Sequence, residues 1–131
     1  MAEATLEHVN VTVSDPIRTA ERLCALFGWH IRWQGGAIHG GNTVHVGSDD
    51  TYIAVYSRDK LIDSETDSYS TRGGLNHIGV VVEDLDDAEA RILEAGYKPH
   101  SHADYEPGRR FYFHDDDGIE FEVVSYKTAP A

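Results

Sequence analysis

Cysteine is nearly absent from this sequence: Cys24 stands alone among 131 residues. An internal disulfide is therefore impossible, a Cys-rich zinc site is excluded, and a reducing compartment suits the chain. Cys24 itself reads as a small buried residue on a helix. Long apolar runs are also missing, with nothing near the roughly 18 residues that cross a bilayer. The opening MAEATLEHVN has acids where a signal peptide has basic residues, and no apolar stretch follows it. A cytoplasmic location is the expectation. Positive charge is scarce, with 11 Lys and Arg against 23 Asp and Glu, a formal charge of −12. That balance disfavours nucleic acid and anionic membranes as partners. It leaves open metal cations, a cationic ligand, or a merely solvated acidic surface. The 40% of hydrophobic residues is enough for a globular core.

What the chain does contain is a repeat. Leu6, His8, Val9, Val11, Val13 and Asp15 return 69 residues later as Leu75, His77, Ile78, Val80, Val82 and Asp84; Gly28-Trp29 returns 68 residues later as Gly96-Tyr97. The slip places one inserted or lost residue inside the helix. In each copy a strand alternates, with valines on one face and a histidine on the other. Asp15-Pro16 and Asp84 then open helices. Ile17, Ala20, Leu23, Cys24 and Phe27 form the apolar face of the first; Leu85, Ala88, Ile92 and Ala95 form that of the second. Gly28 and Gly96 end them.

Three strands follow each helix, at about 29–35, 40–47 and 51–57, and at about 97–102, 109–114 and 118–126. Gly35-Gly36, Asp49-Asp50, Pro107-Gly108 and Asp117-Gly118 mark the turns. The prediction is an α+β chain of two βαβββ modules, residues 4–57 and 74–127, joined by a polar linker over 58–73. A helix covers one face of each curved sheet. The other faces combine into a concave pocket.

His8 and His77 point into that pocket from equivalent strands. On GIEFEVVSY, Phe121 and Val123 take the helix side, so Glu120, Glu122 and Val124 face the pocket. Two imidazoles and the Glu122 carboxylate make a donor set for one divalent ion, Fe²⁺, Mn²⁺, Zn²⁺, Ni²⁺ or Co²⁺, with coordination positions left open. Its net charge near +1 favours an anionic, oxygen-rich ligand. The alternative is a relic site that binds no metal.

The segments LEHVNVTVSD, LNHIGVVVEDLDDAEARILEAGY and RRFYFHDDDGIEFEVVSY resemble the vicinal oxygen chelate superfamily, which includes glyoxalase I, extradiol dioxygenases, fosfomycin-resistance transferases and bleomycin-resistance proteins. The resemblance covers nearly the whole chain. Asp116 stands where the family's closing motif usually has proline. The resemblance implies a glyoxalase-like, curved eight-stranded mixed sheet around an open cup, a small-molecule substrate and a homodimer. Modules exchanged between chains would take His8 from one and His77 and Glu122 from the other. It assigns the metal to His8, His77 and Glu122, and a substrate contact to Tyr112. The family's fourth possible ligand falls on Ala54, which neither binds a metal nor moves a proton. Isomerase and epimerase chemistry lose weight, and dioxygenase-type chemistry gains it.

Tyr52 and Tyr56 flank Ala54 and would make the cup aromatic, or simply fill the core. His45 is a candidate acid or base, or a surface histidine. His100 and His102 read as two imidazoles on one face of an exposed edge strand. His30, His39 and His114 read as surface or packing residues. Arg109-Arg110 either holds an anionic substrate or neutralises Asp115–Asp117, a turn cluster without calcium-loop spacing. Two function classes emerge: a metal-dependent enzyme, and a metal-free binding protein for a flat cationic ligand. A thiol transferase acting on an anionic antibiotic ranks last, because basic residues are few.

Overall fold

A computed structural model describes residues 1–105 and 108–127. The chain divides into two compact units, the first ending at Asp63 and the second beginning at Ser64. The first contains β1 (His8–Thr12), α1 (Pro16–Phe27), β2 (His30–Gly36), β3 (Asn42–Gly47) and β4 (Tyr52–Ser57). The second contains β5 (Ile78–Val81), α2 (Leu85–Glu94), β6 (His100–Tyr105), β7 (Gly108–His114) and β8 (Glu120–Ser125). The eight strands form two mixed sheets of four, ordered β1-β4-β3-β2 and β5-β8-β7-β6. The two βαβββ modules thus share one topology, and in each the first strand runs parallel to the last.

The helix boundaries have local causes. Asp15 caps α1 by accepting from the Arg18 N–H, Pro16 occupies the first turn, and Gly28 closes it at φ 71°. Asp84 caps α2 by accepting from the Asp87 N–H. The buried face of α1 is Pro16, Ala20, Leu23 and Leu26. It is rotated from the expected one: Ile17 is exposed, and Cys24 is half-buried. The proline ring fills the first-turn core position that Ile17 was assigned. Leu85, Ala88 and Ile92 are buried on α2 as expected, while Ala95 is the exposed cap.

The strand faces turned to these helices make the cores. Val44, Val46, Ile53 and Val55 do so in the first unit, and Phe111, Phe113, Phe121 and Val123 in the second. Burial of such side chains is worth about 1.5–3 kcal/mol each.

Two turn expectations shift. Gly35 and Gly36 lie inside β2, and a side chain at Gly35 would collide with the Trp33 ring at 2.7 Å. Glycine there gives the indole room, and the chain reverses later, through a 3-10 turn at Ile38–Gly40. Asp117-Gly118 does form the β7–β8 turn, with Gly118 at φ 81°. Pro107 of the other turn signal lies outside the described residues. Asp67 caps a 3-10 turn, Ser68–Ser70, in the segment before β5.

Candidate functional site

Pairing registers fix which side chains share the faces away from the helices. In the first sheet His8 pairs with Tyr52, Asn10 with Ala54, His45 with Ala54, Gly47 with Tyr52, and Trp33 with His45. In the second, Gly79 pairs with Glu122, Tyr112 with Glu122, His114 with Glu120, and His100 with Tyr112. Ala54 therefore holds the position of Glu122. Likewise Tyr52 holds that of Glu120, His45 that of Tyr112, and Trp33 that of His100.

In the second unit, His77 Nε2 lies 3.2 Å from Glu122 Oε2. The other ring nitrogen, Nδ1, is 3.3 Å from the Tyr69 hydroxyl. Glu122 Oε1 accepts from Arg110 Nη1 at 3.2 Å, and this pair is mostly buried, with 13% and 14% of the side chains exposed. Tyr112 meets His77 edge-on at 5.5 Å. Burial, then the neighbouring Glu122 charge, pushes its hydroxyl pKa up.

In the first unit, His8 Nδ1 lies 2.8 Å from Glu7 Oε1. That hydrogen bond is the main reason the Glu7 carboxyl lies below its ordinary range. The His8 ring stacks on Tyr52 at 4.8 Å, and Tyr52 stacks on His45 at 4.5 Å. Trp33 tilts against His45 at 5.1 Å. Burial, then the neighbours His8 and Arg32, holds His45 below the ordinary histidine pKa, so its ring is mostly neutral at pH 7. Tyr56 is buried, and its hydroxyl donates to the Ile38 carbonyl at 2.8 Å, tying down the β2–β3 connection.

Within the second unit, His77 and Glu122 have the chemistry and spacing of two metal ligands. His77 Nδ1 is engaged by Tyr69, which leaves Nε2 as the ligating atom; in the first unit Glu7 engages His8 Nδ1 in the same way. Outer partners of this kind orient metal-binding imidazoles. The 3.2 Å between His77 Nε2 and Glu122 Oε2 suits two ligands sharing an ion with bonds of about 2.0–2.2 Å.

A sequence profile of the glyoxalase/bleomycin resistance protein/dioxygenase superfamily matches residues 5–123. The chain belongs to this superfamily. Solved structures of the superfamily's fold agree along the full length. A glyoxylase/bleomycin resistance protein/dioxygenase domain from Frankia sp. EAN1pec is 22% identical over 96% of this chain and 100% of its own, with a TM-score of 0.78. The fosfomycin resistance protein FosX from Listeria monocytogenes, in complex with Mn(II) and sulfate ion, is 20% identical over 95% of this chain and 93% of its own, with a TM-score of 0.69. FosX from Mesorhizobium loti is 24% identical over 98% and 94%, at 0.68. No protein of curated function matches the sequence significantly. At these identities the likeness is one of fold. Among the described residues, no helix is long and apolar enough to cross a membrane.

Several side chains departed from the sequence reading. Tyr69 had no assigned role, yet its hydroxyl reaches His77 Nδ1 and also donates to Glu120 Oε1 at 2.8 Å. The signal was a lone tyrosine in a linker that is polar apart from Leu61-Ile62. Arg109 pairs with Asp86 at 3.0 Å and Arg110 with Glu122. The turn acid Asp115 instead accepts from the Asp117 and Ile119 N–H groups. His100 and His102 do not share a face. A register shift between His100 and Ala103, with Ser101 at φ 56°, turns them apart. His102 reaches Glu89 of α2 at 2.9 Å. His100 instead meets His114, which lies at the surface as one of its two readings had it and also joins a polar cluster with Glu120.

Proposed function

We propose that this protein is a metal-dependent enzyme that binds a small, oxygen-rich, anionic substrate through two adjacent oxygens. His8, His77 and Glu122 are its metal ligands. The observation that carries the reading is the placement of His77 Nε2 beside Glu122 Oε2 at 3.2 Å, with His77 Nδ1 held from behind. His8 likewise has its Nδ1 held, by Glu7. A divalent ion in that set would stabilise negative charge on the substrate oxygens, and iron(II) would add the capacity to use O₂.

The chain's own residues then divide the remaining work. Tyr112 and Tyr52 supply ring surface to the substrate, while the buried Tyr56 fills the core. Arg110 adds a cation next to Glu122, which favours an anionic group. His45, mostly neutral at pH 7, is the candidate proton acceptor. Ala54, at the position equivalent to Glu122, offers neither ligand nor base, which favours dioxygenase-type chemistry over isomerisation. The same reading takes the protein as a cytoplasmic homodimer, with module exchange open; light scattering on the purified protein tests the dimer.

Metal analysis of protein purified without chelator tests the main claim. Wild type should carry close to one equivalent of transition metal more than the His8→Ala/His77→Ala variant, and a difference of less than about a tenth under every condition would remove the reading. The stack of Trp33, His45, Tyr52 and His8 supports a second reading, a metal-free binding protein for a flat ligand. On that reading His8→Ala and Glu122→Ala leave ligand binding intact; loss in both rejects it.

A further inference from the structure

We propose a second, separate metal site formed by His100, His114 and Glu120, selective for a borderline divalent ion such as Zn²⁺, Ni²⁺ or Co²⁺. Each residue comes from a different strand, β6, β7 and β8, and the three offer ligand atoms within 4.8 Å of one another. His114 Nε2 is 3.3 Å from Glu120 Oε2, His100 Nε2 is 3.8 Å from the same oxygen, and His100 Nε2 is 3.3 Å from His114 Nδ1. A tetrahedral ion with bonds of about 2.0–2.1 Å sets its ligand atoms roughly 3.4 Å apart; with Nε2 as the His114 ligand, its contact to Glu120 already has that spacing, and His100 Nε2 must draw closer to complete the set.

The surroundings orient these donors as outer partners orient ligands elsewhere. Ser101 Oγ lies 2.9 Å from His100 Nδ1, leaving Nε2 for the cluster. The Tyr69 hydroxyl holds Glu120 Oε1, leaving Oε2. The register shift at Ser101, a non-glycine residue at φ 56°, brings His100 to this face. Such a backbone costs on the order of 1 kcal/mol and persists where the surroundings enforce it. Glu120 is 15% exposed, whereas His100 and His114 are 39% and 51% exposed. The carboxylate is thus anchored, and the imidazoles leave an open position toward solvent. Nitrogen-rich ligation favours these ions over Mg²⁺ or Ca²⁺.

The site does not depend on His8, His77 and Glu122 binding a metal, and the test separates the two. Tag-free apoprotein is titrated with Co²⁺, following calorimetry and visible absorption. Replacing His8 and His77 by Ala should leave one tight binding step with nitrogen-type bands. Replacing His100 and His114 by Ala should remove one equivalent from the wild-type stoichiometry, or weaken that step at least 100-fold. Glu120→Gln, which preserves shape, should weaken the same step and serves if the double variant loses its circular dichroism signal. An unchanged stoichiometry and midpoint in these variants overturns the proposal, as does absence of Co²⁺ binding in the His8→Ala/His77→Ala protein. Loss of binding confined to that last pair upholds the first site alone.

Discussion

The two halves have one topology and opposite chemistry on their free faces. Where the first half places Trp33, His45, Tyr52 and Ala54, the second places His100, Tyr112, Glu120 and Glu122 at the same ladder positions. Their helix-facing sides, in contrast, are apolar in both. The fold requires only the buried side, so the other face is free to specialise. One half became an aromatic surface with a single first-strand histidine, and the other a concentration of ligating side chains.

The largest expected effect tests the shared side. Phe113→Ala removes a fully buried ring and should cost about 3–5 kcal/mol in denaturant unfolding. A cost below about 1 kcal/mol would mean that the second half lacks a tightly packed core. Next comes the divergent side. Glu122→Ala strands the mostly buried Arg110 cation and should cost about 2–4 kcal/mol, with Glu122→Gln milder. Metal affinity should fall in both. Making the halves alike is a subtler test. Ala54→Glu inserts a carboxylate at a position only 2% exposed and should cost about 1–3 kcal/mol. Mn²⁺ should then raise the melting temperature of this variant more than that of wild type, if the position is ligand-competent.

Proton equilibria give the smallest effects. His45 has a folded-state pKa below its unfolded 6.5, so the unfolded chain binds the extra proton. Its contribution to stability is complete above that value and is lost as pH falls through the folded one. A ring-proton NMR titration should place the midpoint below 6.5; a midpoint above it contradicts the packing around His45. In the other half, the hydrogen bond to Glu120 pushes the Tyr69 hydroxyl up to about 12. Glu120→Gln should return it toward 10, read as a difference absorbance titration against Tyr69→Phe.

Most of the architecture was legible because it rests on local rules. The 69-residue offset located both first strands, the Asp caps located both helices, and period-two alternation put Glu122 on the face opposite Phe121. The proximity of Glu122 to His77 follows from that alternation and the parallel pairing of β5 with β8. What escaped depends on contacts distant in sequence or on departures from regularity. Tyr69 reaches a carboxylate 51 residues away, which no local pattern announces. The rotation of α1 came from Pro16 competing with Ile17 for a core position. The separation of His100 from His102 came from an irregular strand, where strict alternation gives the wrong answer.

The residue at 101 thus acts as a phase shifter on β6. Before it, odd and even positions take one assignment of inside and outside; after it, the assignment inverts. Deleting that single position would restore plain alternation and leave His100 opposite Tyr112, whereas drawing the same residue into regular extended backbone would carry the imidazole to the other side of the strand. Along this edge, backbone conformation is as informative as residue identity: with 101 in plain extended backbone, the unchanged sequence would turn His100 away from His114 and Glu120.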